Sequence, residues 1–418
     1  MLHTPLTHPT CQRLAALTLA CLLAACGGGG GGSTTSSTGS STGDSSSSSS
    51  GSSTTTTPPP VSVVSVTLSQ PRTGDIFTAG TAVPLTAQVR VDGVLASDNT
   101  SVQFAAGTGQ SSPALTSNGT ASTSLSGLTA GRQQVQASAT VGGRTGSASQ
   151  TIYLRPAPAP LQVLVPAYFY PTGTGSTAWS TLTAGAASGP AGQITAILNP
   201  SNGIFSSADA NIVRAATAFA NAGGRLVGYV SSSYGTGTRS LASIQANIDA
   251  YLSLYGAGLI KGFFIDEMAS QTNRLDFYRT IYSYIKARNP DLLVIGNPGL
   301  IPASGYADVA DVLVTFEGKG ASYADYDPRT TSSDWLYTVQ NSRQASLLHN
   351  TANCAAMQSA LQLAASARYQ AGWVYATQLE YEPSTGVGNP WAGMPSYWTA
   401  FLQSVRNLNA GQPLPACA

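Results

Sequence analysis

Residues 258–268 read GLIKGFFIDEM, an apolar run that ends abruptly in two adjacent carboxylates, Asp266 and Glu267. A continuous apolar run of this length is the pattern of a parallel strand buried on both faces. Residues 310–318, ADVLVTFEG, repeat the pattern and end at Glu317. Working outward from these two, assigned to 259–266 and 309–317, similar runs occur at 161–170, 193–199, 225–231, 292–297, 345–350 and 371–376. Amphipathic stretches at 208–222, 241–255, 275–288, 354–369 and 397–408 lie between and after them, with Gly223-Gly224, Gly256 and Asn289-Pro290 as helix stops. Eight strands alternating with helices over about 250 residues predict an α/β fold, a (β/α)8 TIM-type barrel over 161–410. The competing open doubly wound sheet lacks its usual ligand site, because no glycine-rich phosphate loop follows the first strand.

Upstream the pattern changes. Residues 61–154 carry short alternating runs: Val64, Val66 and Leu68; Val83, Leu85, Ala87, Val89 and Val91; Val102 and Phe104; Val135, Ala137, Ala139 and Val141. Asp92-Gly93 is a hairpin signal between such runs. About seven short strands here predict a small all-β immunoglobulin-like sandwich, without the Cys–Trp–Cys core of antibody domains. The span has no set of reactive side chains, so a spacer is its default role. Residues 155–160, RPAPAP, predict a semi-rigid proline linker, and 411–418 a C-terminal tail.

The N-terminal 25 residues predict a signal peptide: Arg13 precedes a short apolar stretch, Leu14 to Ala25. It closes in Leu23-Ala24-Ala25-Cys26, which resembles the lipobox of bacterial lipoproteins, whose cysteine is lipidated. That resemblance implies a membrane anchor at Cys26 and, with Gly27 following, the outer membrane; an ordinary secretory signal is the competing reading. Residues 26–60, nearly all Gly, Ser and Thr before three prolines, predict a flexible tether. Cys354 and Cys417 remain as an even pair for an oxidising compartment, which points to a disulfide. No Cys/His cluster suggests a metal. With a net charge of +1 and only 9% charged residues, the chain has no basic field for nucleic acid. A neutral polysaccharide suits such a surface, and no pattern sets an oligomeric state.

The whole sequence holds four glutamates, Glu267, Glu317, Glu380 and Glu382, and two of them end buried strands. A carboxylate set against apolar surface costs desolvation energy, so chemistry is the better reason for it. Barrel enzymes carry their reactive groups at the C-terminal strand ends. Those positions give Tyr168, Tyr170, Asn199, Asn202, Tyr229, Tyr234, Asp266, Glu267, Asn297, Glu317, His349 and Tyr375. Phenols that stack on sugar rings, amides that bind hydroxyls and paired carboxylates together suit glycoside hydrolysis. Neighbours on a strand face opposite ways, so Asp266 and Glu267 both reach the mouth only if the strand ends between them. Helix capping or pairing with Lys261 is the structural alternative for them, a satisfied structural group is that for His349, and rim packing is that for Tyr168, Tyr170 and Tyr234.

Five segments in order carry a more specific likeness: VPAYFYP at 165–171, ILNPSNG at 197–203, GYVSSSYGTGTR at 228–239, GFFIDEM at 262–268, and Glu317 in VTFEG. From about Val163 to Leu408 the chain resembles the spherulin-4-like family of glycoside hydrolases. The resemblance implies an endo-acting barrel hydrolase of α-1,4-linked galactosamine or N-acetylgalactosamine exopolysaccharide. It implies Asp266 as nucleophile, Glu317 as acid/base, Glu267 beside them, and no cofactor. Ser231 departs from the bulkier polar residue that relatives carry after GYV, which bears on sugar preference more than on reaction type. A non-catalytic surface protein that binds carbohydrate or attaches to matrix is the alternative.

Overall fold

The computed structural model describes residues 62–107, 110–330 and 332–417; the signal segment, Cys26 and the whole of the tether lie outside the described residues. Residues 63–418 cluster as one compact unit. Its first part is built from β1 (Val64–Gln70), β2 (Ile76–Thr78), β3 (Val83–Val91), β4 (Val94–Leu95), β5 (Ser101–Ala106), β6 (Gln110–Leu115), β7 (Thr120–Leu125), β8 (Gly131–Val141) and β9 (Arg144–Arg155). In one sheet β3 pairs with β1, β4 and β7; the other runs β2-β9-β8-β5-β6, antiparallel apart from β2 against β9. Alternate residues of β3, from Val83 to Val89, meet Val102, Phe104, Val135 and Ala137 of the facing sheet in one apolar core. Two sheets with period-two burial are what the immunoglobulin-like pattern predicts.

The second part is a closed parallel barrel: β10 (Gln162–Ala167), β11 (Ile194–Leu198), β12 (Arg225–Ser231), β13 (Ile260–Asp266), β14 (Leu293–Gly296), β15 (Val312–Lys319), β16 (Gln344–His349) and β17 (Trp373–Ala376). β10 pairs with both β11 and β17, which closes the ring. Helices α1 (Thr174–Ala187), α2 (Ala210–Asn221), α3 (Leu241–Ala250), α4 (Leu275–Arg288), α5 (Cys354–Ala365) and α6 (Trp398–Asn409) surround it, and a two-stranded hairpin, β18 (Tyr381–Glu382) and β19 (Val387–Gly388), follows β17. Gly262 shows how tightly β13 and β14 approach, since a Cβ there would stand 2.2 Å from the Leu293 carbonyl oxygen. The sulfurs of Cys354 and Cys417 are bonded, tying the tail to the start of α5.

Three features differ from the sequence reading. Helix α1 was not expected, because TGSTAWSTLTAGAA buries small residues, Gly175, Ala178, Gly185 and Ala186, around Trp179 and Leu182. Its apolar stripe is therefore hard to tell from its Ser/Thr face. Helix α3 is shorter than expected and passes into a π-helical turn at Tyr251–Gly256. Arg155 is no linker residue: it ends β9 and is 1% exposed. Its guanidinium donates to the Tyr369 carbonyl at 2.8 Å, lies close to those of Ala367 and Arg368, and stands 4.8 Å over the Tyr337 ring. The prolines after it are strapped to the barrel, since Ala159 exchanges both backbone hydrogen bonds with the Asn341 amide. Arg155→Ala would leave buried carbonyls without donors and is expected to cost about 2–4 kcal/mol, read as a drop in the thermal unfolding midpoint.

Candidate active site

Strand alternation aims the first carboxylate. Phe263 packs on Tyr251 in the helix layer, with ring centroids 6.0 Å apart, so Phe264 and Asp266 face the lumen, where Phe264 stacks on Tyr229 at 6.4 Å. Continued as a strand, the chain would turn Glu267 outward. Instead β13 ends at Asp266, and Glu267 adopts a left-handed φ of 51°. That turn is held from below: the Glu267 carbonyl accepts from the Tyr234 amide at 2.7 Å and the Ser232 hydroxyl at 2.8 Å. Tyr278 of α4 joins the same cluster, its hydroxyl 3.0 Å from that of Ser232. The Glu267 carboxylate swings back to the mouth, where it accepts from the Ser231 hydroxyl at 2.5 Å. A non-glycine residue in this region stores strain that the surrounding contacts must hold.

Glu317 comes from two strands away. A register shift in β15 leaves Thr315 unpaired between Val314 and Phe316 and re-aims the residues that follow. Between the two carboxylates stands Asn297, directly after β14. Its side-chain oxygen accepts from the Gly299 amide at 3.1 Å, which fixes the amide orientation. The amide nitrogen then donates to Asp266 Oδ1 at 2.7 Å and to Glu317 Oε2 at 2.6 Å. One donor group thus holds both acids over a shared point. Asn297, expected as a substrate contact, has its amide engaged in positioning them.

Burial raises the pKa of both acids, but their surroundings differ. Desolvation and the nearby Asp266 charge push Glu317 up to about 7, opposed only by the Asn297 hydrogen bond. Asp266 is also raised by burial, yet it is held back by hydrogen bonds from Tyr229, the Glu267 amide and Asn297. With three donors against one, Asp266 ionises first, and its charge keeps the proton on Glu317. Two carboxylates pushed apart in this way divide into a base or nucleophile and an acid.

Aromatic groups wall the mouth. Tyr168 meets Tyr229 edge-on at 5.6 Å, and Tyr234 stands 49% exposed with its pKa pushed up to about 12 by burial and by Glu267, Asp266 and Glu317. Tyr170, Asn199 and Asn202 gather beside Tyr168, with the Asn199 amide nitrogen 3.5 Å from Asn202 Oδ1. Gly203 permits this loop, because it has a φ of 77° and a Cβ there would stand 2.5 Å from the Tyr229 carbonyl oxygen. His349 is 3% exposed, packed edge-on against Tyr381 and Trp391, and burial lowers its pKa. Tyr375 corrects the sequence reading. It is fully buried against Phe401 of α6 at 6.2 Å, on the helix side of β17, so it cannot contact a substrate. The sequence reading missed Ser232 and Tyr278, which brace the turn, and Asp209, which fixes Tyr170. Among the described residues no group of three or more His, Cys, Asp or Glu side chains is placed to hold a metal ion.

Comparison with known proteins places the barrel in a family. The profile of the family described as Spherulin4, spherulation-specific family 4, matches residues 162–405, the barrel almost from end to end. The chain belongs to this family. Spherulin-4 of Physarum polycephalum is 31% identical over 188 residues, which cover 45% of this chain and 52% of that protein, so the chain spans about half the length of that curated relative. Among solved structures, Aspergillus clavatus Sph3 in complex with GalNAc is 23% identical, with a TM-score of 0.47, covering 59% of this chain and 97% of Sph3. The fibronectin(III)-like modules of Clostridium thermocellum CbhA are 22% identical, with a TM-score of 0.18, covering 21% of this chain and 93% of theirs. In this member of the spherulin-4 family, all five segments singled out in the sequence lie in the barrel and border its mouth.

Proposed function

We propose that this protein is a glycoside hydrolase, endo-acting on α-1,4-linked galactosamine or N-acetylgalactosamine exopolysaccharide by a retaining, two-carboxylate mechanism. The observation that carries the reading is the Asn297 bridge. Two oxygens bonded to one nitrogen lie no more than about 5.3 Å apart, which favours the ~5–5.5 Å spacing of retaining enzymes over the ~6.5–9.5 Å of inverting ones. The choice of sugar rests on the family resemblance. Tethering to a bacterial outer membrane through a lipid at Cys26 belongs to the same proposal.

In the first step an Asp266 oxygen forms a bond to the anomeric carbon as the glycosidic C–O bond breaks, and Glu317 delivers its proton to the leaving oxygen. Water then attacks the same carbon, Glu317 takes up its proton, and Asp266 leaves as the carboxylate. Tyr229 and Asn297 donate to Asp266 throughout, and Glu267, pinned by Ser231, supplies negative charge beside the developing oxocarbenium ion. Reducing-end release from a panel of galactosamine and glucosamine polymers tests the reading. Release from galactosamine polymers supports it, whereas binding of the same polymers without release makes the protein a carbohydrate-binding module.

The pH profile follows from the two acids. The reactive form has Asp266 ionised and Glu317 protonated. Activity should therefore fall as pH rises through about 7, where Glu317 loses its proton, and fall again in acid as Asp266 gains one. An initial-rate profile between about pH 4 and 9 checks this, and a plateau reaching pH 9 would contradict it.

A further inference from the structure

Beside the catalytic carboxylates, on the β10–β11 side of the mouth, lies a cavity of about 780 Å³, within the size range of small-ligand pockets. Tyr168 belongs both to this cavity and to the catalytic wall, since it packs on Tyr229, which hydrogen-bonds Asp266. Tyr170, at the outer end, is 48% exposed, yet its ring is not free to swing. Its hydroxyl donates to Asp209 Oδ2 at 2.9 Å and accepts from the Asn211 amide nitrogen at 3.0 Å. An exposed aromatic face held in place by two hydrogen bonds is a preformed platform, with little left to order when a ring lies on it. Asn199 Oδ1, also in the lining, is buried and accepts no hydrogen bond. A buried acceptor without a donor is costly, and a ligand hydroxyl or amide can satisfy it. The loop that follows Asn199 holds two consecutive non-glycine residues, Ser201 and Asn202, in the left-handed region at φ 50° and 55°. Such strain clusters at ligand clamps.

We propose that this cavity is a second sugar subsite that binds the unit preceding the one attacked, with its ring on Tyr170 and a donor on Asn199 Oδ1. This rests on the hydrolase reading above and deepens it. The attacked sugar sits against Asp266 and the leaving sugar against Glu317. The cavity opens on the Asp266 side, through Tyr229 and Tyr168, so it receives the glycone side of the chain. Occupying it pulls a polymer into register over the acids and sets cleavage at least two units in from the non-reducing end.

The test compares Tyr170→Ala with the parent on two substrates, each in free-amine and N-acetylated form: an aryl α-galactosaminide, which fills only the attacked position, and an α-1,4-galactosamine tetramer. The loss of kcat/KM on the tetramer should exceed that on the aryl glycoside by about tenfold or more. Tyr170→Phe keeps the ring but not the two hydrogen bonds that hold it, so on the tetramer it should fall between the parent and Tyr170→Ala, which separates a lost platform from a damaged loop. Equal losses on the two substrates, or a Tyr170→Phe variant as poor as Tyr170→Ala, overturn the subsite. If the parent cuts neither substrate, the hydrolase reading falls instead. Calorimetric titration with the tetramer then decides the subsite alone: weaker binding by Tyr170→Ala supports it, and equal binding refutes it.

Discussion

Asp266→Asn should abolish polymer cleavage, by at least about 10⁴-fold in kcat, while polymer binding persists. The amide is nearly isosteric with the carboxylate and can still accept from Asn297 and Tyr229, but it cannot form the glycosyl ester. The same substitution should make the protein more stable at alkaline pH. Asp266 has a folded pKa raised above its unfolded value, so its contribution to stability is fully present below the unfolded pKa and is lost as pH rises through the folded one. Replacing it with a neutral group removes that loss and also relieves the repulsion on Glu317. Thermal midpoints should therefore rise near pH 8 and converge with the parent near pH 4. Retained turnover, or a variant less stable at pH 8 than the parent, would contradict the assignment.

Asn297→Leu carries the second large effect. Leucine fills a similar volume but donates nothing, so Asp266 and Glu317 lose their shared hydrogen bonds at 2.7 and 2.6 Å. Removing a preorganised donor of this kind costs about 10²–10³-fold in kcat. Both acids should then hold their protons more tightly, since the bond from Asn297 lowers each of them. The whole pH–rate profile should move to higher pH, a signature that a merely structural lesion would not produce. Stability should drop more at pH 8 than at pH 5, because two buried charges then face each other without a bridging donor. Unchanged pH limbs with reduced kcat would show that Asn297 acts on substrate rather than through the acids.

The barrel was legible because its strands are buried on both faces and read as continuous apolar runs. Arg225–Ser231 coincides with its expected bounds for that reason. Helix α1 escaped because alanine, glycine and threonine give its buried stripe little contrast. The prediction that Asp266 and Glu267 share the mouth only if the strand ends between them describes the observed turn, but the chain does not spell out its cause. The brace comes from Ser232 and Tyr278, one on the neighbouring strand's loop and one on α4, contacts that no local pattern encodes. The bulge at Thr315 is likewise silent in ADVLVTFEG. Tyr375 was misread because a four-residue apolar strand, Trp373–Ala376, does not reveal which alternate residue faces the lumen. Asn297 was picked out by its position, while its role needed the geometry.

The most direct test of the pair is azide rescue of Asp266→Gly with an α-linked aryl galactosaminide. With the nucleophile removed, azide attacks the anomeric carbon from the vacated face while Glu317 protonates the departing oxygen. The account predicts that azide restores turnover and that NMR shows the β-glycosyl azide. An α-azide, or undiminished hydrolysis in the absence of azide, would mean that Asp266 does not attack the sugar.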